Sequence, residues 1–169
     1  VSHRIYLVIS LWLSLTLEAY PNLRSDNVQN LDVYLWTIGL GPGLHMRYGH
    51  TLIEVRDSTN GDNTTLNWGT FSFEDGSFLS KFFLGFLNYW LSEEPSYRII
   101  AKYRYEGRSA FREKINLTPT QKKRLVAKIR HNLQPKQRNF WYHFFYKNCS
   151  TIPRDYLDEI LGGVVKSRF

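Results

Sequence analysis

Cys149, the only cysteine in the chain, is the residue whose type and position most directly suggest covalent chemistry. Apolar residues recur at helical spacing from Ile152 to Ile160, so the sequence predicts a helix that begins at Ser150 or Thr151. The unpaired N–H groups at a helix start favour a thiolate over a thiol, and we therefore expect a lowered pKa for Cys149. A lone cysteine is also often an inert buried residue, so the rest of the chain must decide between these interpretations.

A cysteine nucleophile needs a general base, and the chain contains five histidines. His50 opens a predicted strand directly after a glycine-rich loop, and Asn67 lies on the returning strand of the same predicted hairpin. There the Asn67 amide can bind the second ring nitrogen of His50 and fix its tautomer. The sequence therefore predicts the catalytic set Cys149, His50 and Asn67, without a metal ion or a cofactor. His3 lies in the predicted leader, and the other histidines are expected to lie farther from the thiol: His45, His131 and His143.

The strands that must position this set are predicted from alternating residues rich in β-branched and aromatic types. Five segments have this pattern: 32–40, 50–56, 64–71, 97–105 and 109–117. The second and third are joined by a polar turn that contains Asn60-Gly61, which is typical of a β-hairpin. This hairpin brings His50 and Asn67 to the same end of the predicted sheet.

Two further segments have helical spacing. Aromatic residues recur every three or four positions from Phe78 to Trp90, which predicts a helix that stops at Glu93-Glu94-Pro95. We interpret this stripe as core, with a substrate groove or a membrane-contacting face as the alternative. A capping box and an early proline predict another helix over 118–133. Its basic residues are interpreted as a solvated face, or else as an anion-binding patch: Lys122, Lys123, Lys128 and Arg130.

The chain as a whole has the length and composition of one domain behind an export signal. Of its 169 residues 43% are hydrophobic, which is enough for one core. Residues 1–19 combine a short basic start, an apolar run of about thirteen residues and a polar exit, as in a cleaved signal peptide, with an uncleaved anchor as the alternative. The single domain is then 20–169. Its net charge of +7 suits anionic envelope polymers or a membrane surface, and nucleic acid is not an expected partner of an exported chain.

Several motifs in one order resemble a known family. They are Gly49–Val55, Asn67–Phe71, Asn88–Leu91, Tyr103–Ser109 and Lys147–Asp158. Over about 32–163 the chain resembles the Lnb N-terminal periplasmic domain, a bacterial family. This resemblance implies an α+β, permuted papain-like (NlpC-like) domain with an antiparallel sheet and helices packed on it. In such permuted relatives of the NlpC-type thiol hydrolases and the lecithin–retinol acyltransferase-like enzymes, the histidine strand precedes the cysteine helix, as His50 precedes Cys149.

The function expected from these observations is that of a cysteine-dependent hydrolase, amidase-like or peptidase-like, in the periplasm or outside the cell. It would act on a peptide, amide or lipid of the cell envelope through a thioester on Cys149. A lipid acyltransferase that uses the same cysteine and histidine is one alternative, and a non-catalytic envelope-binding domain is another. Catalysis requires a ring nitrogen of His50 about 3 to 4.5 Å from the sulfur. Peripheral contact with a membrane and the oligomeric state stay open.

Overall fold

The computed structural model describes Leu23 and residues 27–43, 46–72, 80–81 and 84–168. The predicted signal peptide, with its boundary at residue 20, lies outside these residues, and so does His45. The same holds for much of the predicted aromatic helix before residue 84.

Six strands form one sheet in the described part of the chain. They are β1 (Leu31–Ile38), β2 (His50–Asp57), β3 (Asn63–Thr70), β4 (Asn88–Pro95), β5 (Ala110–Ile115) and β6 (Asn139–Trp141). Their order across the sheet is β5-β1-β2-β3-β4-β6, and every neighbouring pair is antiparallel. The predicted strands over 32–40, 50–56, 64–71 and 109–117 are therefore confirmed, with boundaries that differ by a few residues.

Three helices lie wholly within the described residues and accompany the sheet, so the predicted α+β class is confirmed. They are α1 (Ser96–Tyr105), α2 (Pro119–Leu133) and α3 (Thr151–Ile160), and a short 3-10 turn follows at Lys166–Arg168. The predicted capping box of α2 is present, because Thr118 and Gln121 bond each other's backbone N–H groups through their side chains. Helix α3 starts at Thr151 with Ser150 as its N-cap, as the sequence predicted. No helix in the described ranges combines the length and apolar character needed to cross a bilayer.

The helices cover both faces of the sheet. On one face Ile53 and Val55 pack in the main core with Ile129 of α2 and Ile160 of α3. On the other face a smaller cluster joins Leu52 to Ile99 and Tyr103 of α1. Neighbouring residues of β2 thus point to opposite layers, as the strand period requires. The start of β2, where His50 lies, is close to both layers.

The strand predicted over 97–105 is wrong, because this segment forms helix α1. Its alternating aromatic and basic residues resemble a half-buried strand. The residues that are buried, however, are Ser96, Ile99 and Tyr103, whose spacings of three and four place them on one helical face. The spacing of the buried residues therefore indicates a helix, although the exposed residues between them alternate as in a strand.

The helix predicted up to Glu93-Glu94-Pro95 is wrong from Gly85 onward, because residues 85–87 are turn and coil and Asn88–Pro95 is strand β4. Tyr89 and Leu91 are buried, whereas Asn88 is exposed and Trp90 is half-buried, which is an alternation of period two. Strand β4 pairs with β3 on one side and with β6 on the other. Pairing on both edges determined the backbone here, and the helical spacing of Leu87 and Trp90 did not.

Candidate active site

His50 and Asn67 form a hydrogen-bonded pair across strands β2 and β3. His50 Nε2 lies 2.8 Å from Asn67 Oδ1, and the same oxygen accepts the backbone N–H of Gly69 at 2.7 Å. Because a backbone N–H can only donate, the Asn67 atom is an oxygen, and His50 must donate to it from Nε2. This assigns the proton of the neutral ring to Nε2. The lone pair that can accept a proton is then on Nδ1.

Gly69 is the residue that makes room for the imidazole. A Cβ placed on Gly69 would overlap His50 Cε1 and would lie 3.1 Å from both His50 Nδ1 and Asn67 Oδ1. The ring of His50 therefore packs against the bare backbone of β3. Glycine is required at this position for a steric reason, because a Cβ would overlap the imidazole that is bonded to Asn67.

Cys149 is held in a turn that Asn148 fixes. The buried Asn148 side chain accepts the backbone N–H groups of Ser150 and Thr151, both at 2.9 Å, and donates to the carbonyl of Phe144 at 2.8 Å. In return, Thr151 Oγ1 accepts the Asn148 N–H at 2.9 Å. Asn148 thus caps the start of α3 from one position before the cysteine. This role was missed in the sequence, although asparagine is a preferred capping residue and the spacing to Thr151 was visible.

The turn with Cys149 meets the start of β2. The backbone N–H of Thr51, the residue next to His50, is one of the groups that act to lower the pKa of the Cys149 thiol. Ser150 Oγ lies 3.2 Å from Thr51 Oγ1, which gives a second contact between the two segments.

One cavity of about 650 Å³ contains all three predicted residues, Cys149, His50 and Asn67, in its walls. Sequence positions almost a hundred residues apart are thus brought together at the junction of β2, β3 and α3. The separation of about 3 to 4.5 Å expected between a ring nitrogen of His50 and the sulfur stays a prediction.

The pKa of Cys149 is shifted in the direction opposite to the one expected from the sequence. Burial raises the pKa of the Cys149 thiol, and this outweighs the opposing hydrogen bonds from Thr51 and Ser150 and the nearby charge of Arg108. Burial, together with the cations Arg108 and Lys102, lowers the pKa of His50 from 6.5 to about 4, against the effect of the Asn67 bond. The expectation of a lowered pKa for Cys149 is therefore wrong. A helix start was visible in the sequence, but the desolvation that opposes it was not.

The rest of the cavity has an aromatic wall. Tyr89 and Tyr142 are stacked with ring centroids 4.5 Å apart, and Phe71 lies 4.9 Å from Tyr89. Phe144 continues this wall at 6.1 Å from Tyr142. The four rings lie beside Cys149 in the same cavity and provide an apolar surface for a substrate.

The cavity also carries charges that the sequence interpretation missed. The Arg108 side chain, 6% exposed, donates from Nε and Nη2 to the Gly39 carbonyl and lies over the Tyr103 ring. Its Nη1 is 3.5 Å from Glu106 Oε2. Lys102 also lines the cavity. These residues were missed because α1, which contains Lys102 and directly precedes Glu106 and Arg108, was predicted as a strand.

The other described histidines do not line this cavity. His143 accepts the backbone N–H groups of Phe145 and Tyr146 at Nδ1, so it holds a turn. His131 lies on α2 and lines a separate groove. Within the described ranges, His50 is thus the histidine that shares a cavity with Cys149. The described residues also include no group of three His, Cys, Asp or Glu side chains placed to bind a metal ion.

Replacing Asn67 by alanine is expected to lower the rate of Cys149 acylation by about tenfold to a hundredfold, because the ring of His50 loses the acceptor that fixes its tautomer and orientation. The nucleophile and the proton acceptor both remain, so the loss should be smaller than after removal of either. The burst of nitrophenolate from p-nitrophenyl acetate measures this rate. Asn63→Ala, at the other end of β3, is the matched control. An unchanged burst in Asn67→Ala would show that the bond to His50 has no role in reactivity.

Acidification is expected to destabilise the fold through His50. The unfolded imidazole titrates near 6.5 and the folded one has a pKa of about 4, so between these values the unfolded state binds more protons. The free energy of unfolding should therefore fall as the pH decreases through this range, by at most about 3 kcal/mol, at about 1.4 kcal/mol per pKa unit. Urea unfolding of wild type and His50→Gln from pH 7 to about pH 4 measures the difference. Parallel pH curves would contradict a neutral, desolvated imidazole.

A family model described as the Lnb N-terminal periplasmic domain matches residues 18–167. No curated protein and no solved structure matches the chain.

Proposed function

The chain belongs to the Lnb N-terminal periplasmic domain family, and from this premise we propose that it is a cysteine-dependent hydrolase of amide or related acyl bonds in cell-envelope material. The family supports a bacterial, periplasmic location. The observation that carries the proposal is the shared cavity of Cys149 and a His50 ring that Asn67 fixes. This set has the parts of nucleophilic catalysis by a thiol: a nucleophile, a base, and a group that orients the base.

Acylation begins from a neutral thiol and a neutral imidazole. The Cys149 sulfur attacks the substrate carbonyl carbon while its proton moves to His50 Nδ1, and the carbonyl oxygen becomes an oxyanion. The other ring proton stays on Nε2, where it is donated to Asn67 Oδ1. When the carbon–nitrogen bond breaks, His50 returns its proton to the leaving amine, and a thioester on Cys149 remains. The second half repeats these steps with water, which releases a carboxylic acid and restores the thiol.

The donors for the oxyanion follow by elimination. The Ser150 and Thr151 N–H groups are already bound by Asn148 Oδ1. The backbone N–H groups of Thr51 and Cys149, in contrast, both act to lower the pKa of the Cys149 thiol, as donors that stabilise negative charge there do. We assign these two as the oxyanion donors, since they lie beside the atom that attacks.

The proposed arrangement is that of a permuted papain-like domain. His50 and Asn67 lie on adjacent antiparallel strands, and Cys149 lies directly before a helix that packs near β2. The histidine strand precedes the cysteine helix in the chain, which is the order expected for the permutation. This order and the shared cavity support the finer fold assignment.

Acyl transfer to an acceptor other than water is a second candidate, and the aromatic wall favours it. The surface formed by Phe71, Tyr89, Tyr142 and Phe144 can hold an apolar acyl chain beside the sulfur. An amine or a hydroxyl group would then attack the thioester in place of water. Both candidates share the first half of the reaction.

Trapping of the acyl-enzyme tests the proposal. Wild-type protein is incubated with cell-envelope extract, quenched in acid and examined by mass spectrometry for a mass increase on the Cys149 peptide that neutral hydroxylamine removes. Cys149→Ala should show no increase. Release of free acid in the absence of added amine supports hydrolysis, whereas turnover that requires an amine or alcohol supports transfer. A thiol that acquires no acyl group from the extract or from activated esters would overturn both and favour a binding domain.

A further inference from the structure

The end of β6 and the turn that follows it present large rings to solvent. Trp141, Phe145 and Tyr146, which we call the aromatic tip, are 65%, 74% and 77% exposed. The turn is closed by paired backbone bonds between His143 and Lys147 at 2.8 and 3.1 Å. The His143 ring also accepts two N–H groups of the turn. Hydrogen bonds within the turn therefore hold its backbone in the conformation that exposes the rings.

A cationic groove adjoins the aromatic tip. This basic groove, with a volume of about 520 Å³, lies between α2 and α3 and is lined by Lys128, His131, Lys136, Lys147 and Tyr146. Its acidic residue, Asp155, is already paired with Arg154 and Lys166.

The positive charge of this groove is only partly neutralised. Lys128 is paired with Glu159. Among the described residues, however, no carboxylate lies within ion-pair distance of Lys136 or Lys147. An excess of positive charge therefore faces solvent directly beside the exposed rings, in a chain with a net charge of +7.

We propose that the aromatic tip and the basic groove dock this domain onto the surface of an anionic phospholipid bilayer. Tryptophan and tyrosine are favoured at the level of lipid headgroups, where one end of the ring is apolar and the other is hydrated. Lysines near such a surface are attracted by its negative potential. A soluble polyanion would satisfy the lysines but would leave the rings in water, so the combination favours a bilayer.

Docking in this way brings the cavity of Cys149 to the lipid. Phe145 belongs to the aromatic tip and also lines that cavity. Tyr48, 67% exposed, lies at the same rim and contacts Phe144 with ring centroids 4.7 Å apart. The surface that binds the bilayer is thus continuous with the entrance to the site.

Binding to vesicles tests the proposal in the Cys149→Ala background, so that its outcome is independent of catalysis. The full chain is sedimented with vesicles of phosphatidylcholine alone or with about one third phosphatidylglycerol. We expect strong preference for the anionic vesicles, weakened by salt. Lys136→Gln/Lys147→Gln and Trp141→Ser/Tyr146→Ser should each weaken binding about tenfold or more, given about fivefold per lysine at an anionic surface. Because all variants share residues 1–22, any contribution of that segment cancels in these ratios.

Matched variants on other surfaces complete the test. Phe111→Ser/Tyr105→Ser removes two rings that are 65% and 94% exposed, and Lys114→Gln/Lys123→Gln removes two charges outside the basic groove. Both should bind as the parent does. Tryptophan emission should shift to shorter wavelength on vesicle binding, and most of the shift should be lost in Trp141→Phe. Equal binding to neutral vesicles, equal losses in the controls, or binding to heparin without binding to vesicles would overturn the proposal.

Discussion

Cys149→Ala is expected to abolish the burst of nitrophenolate from an activated ester, a loss of at least about a thousandfold in acylation rate, because the sulfur is the atom that forms the thioester in the proposed reaction. His50→Ala should cost a similar factor. At the resting site the thiol is protonated by burial, so it depends on the ring for removal of its proton during attack. The double variant should lose little more than either single one, since the two residues act as a unit.

Controls separate this chemistry from damage to the fold. Circular dichroism and the urea midpoint should change little in Cys149→Ala. His131→Ala, on the exposed side of α2, should keep the full burst. A normal burst in His50→Ala, with Cys149 intact, would contradict the assignment of the base. A normal burst in Cys149→Ala would contradict the assignment of the nucleophile.

Gly69→Ala is expected to lower acylation about a hundredfold without removal of any reacting group. The new methyl group would overlap His50 Cε1 and press on Nδ1, the nitrogen that must accept the proton. The ring must then rotate away and break the 2.8 Å bond to Asn67, or the strand must shift. Either response moves the base from its position, and small displacements of catalytic groups have large effects on rate.

The matched control is Gly61→Ala in the hairpin turn. Gly61 has a φ of +77° and no atom within 4 Å of an added Cβ, so alanine there strains the backbone but touches nothing. It should cost about 1 kcal/mol of stability and leave the burst unchanged. If Gly69→Ala reacted as fast as Gly61→Ala, the ring of His50 would not be confined by β3 in the reacting state.

The hairpin that holds the base could be predicted because its rules are local. Alternation and an Asn-Gly turn define two paired strands, and pairing places Asn67 and His50 at one end. The capping box of α2 was predicted for the same reason. In contrast, the interchange of strand and helix over 88–105 arose where the exposed residues imitate the wrong period and tertiary pairing decides.

The environment of the site could not be predicted, since it depends on what folds over it. The start of α3 was correct, but the raised pKa of Cys149 results from burial beneath segments distant in the sequence. Arg108 reaches the cavity only because the helix before it packs on β3 and β4 and its guanidinium is fixed to Gly39. Residue type and local spacing carry neither kind of information.

The protonated resting state of Cys149 has a consequence for survival of the protein outside the cytoplasm. Oxidants and disulfides react with thiolates, and the periplasm is an oxidising compartment. A cysteine activated in advance would there be converted to sulfenic acid or to a mixed disulfide between turnovers. In the proposed mechanism, burial keeps the proton on sulfur until a substrate carbonyl arrives, so the nucleophile is protected by the same desolvation that disfavours its ionisation.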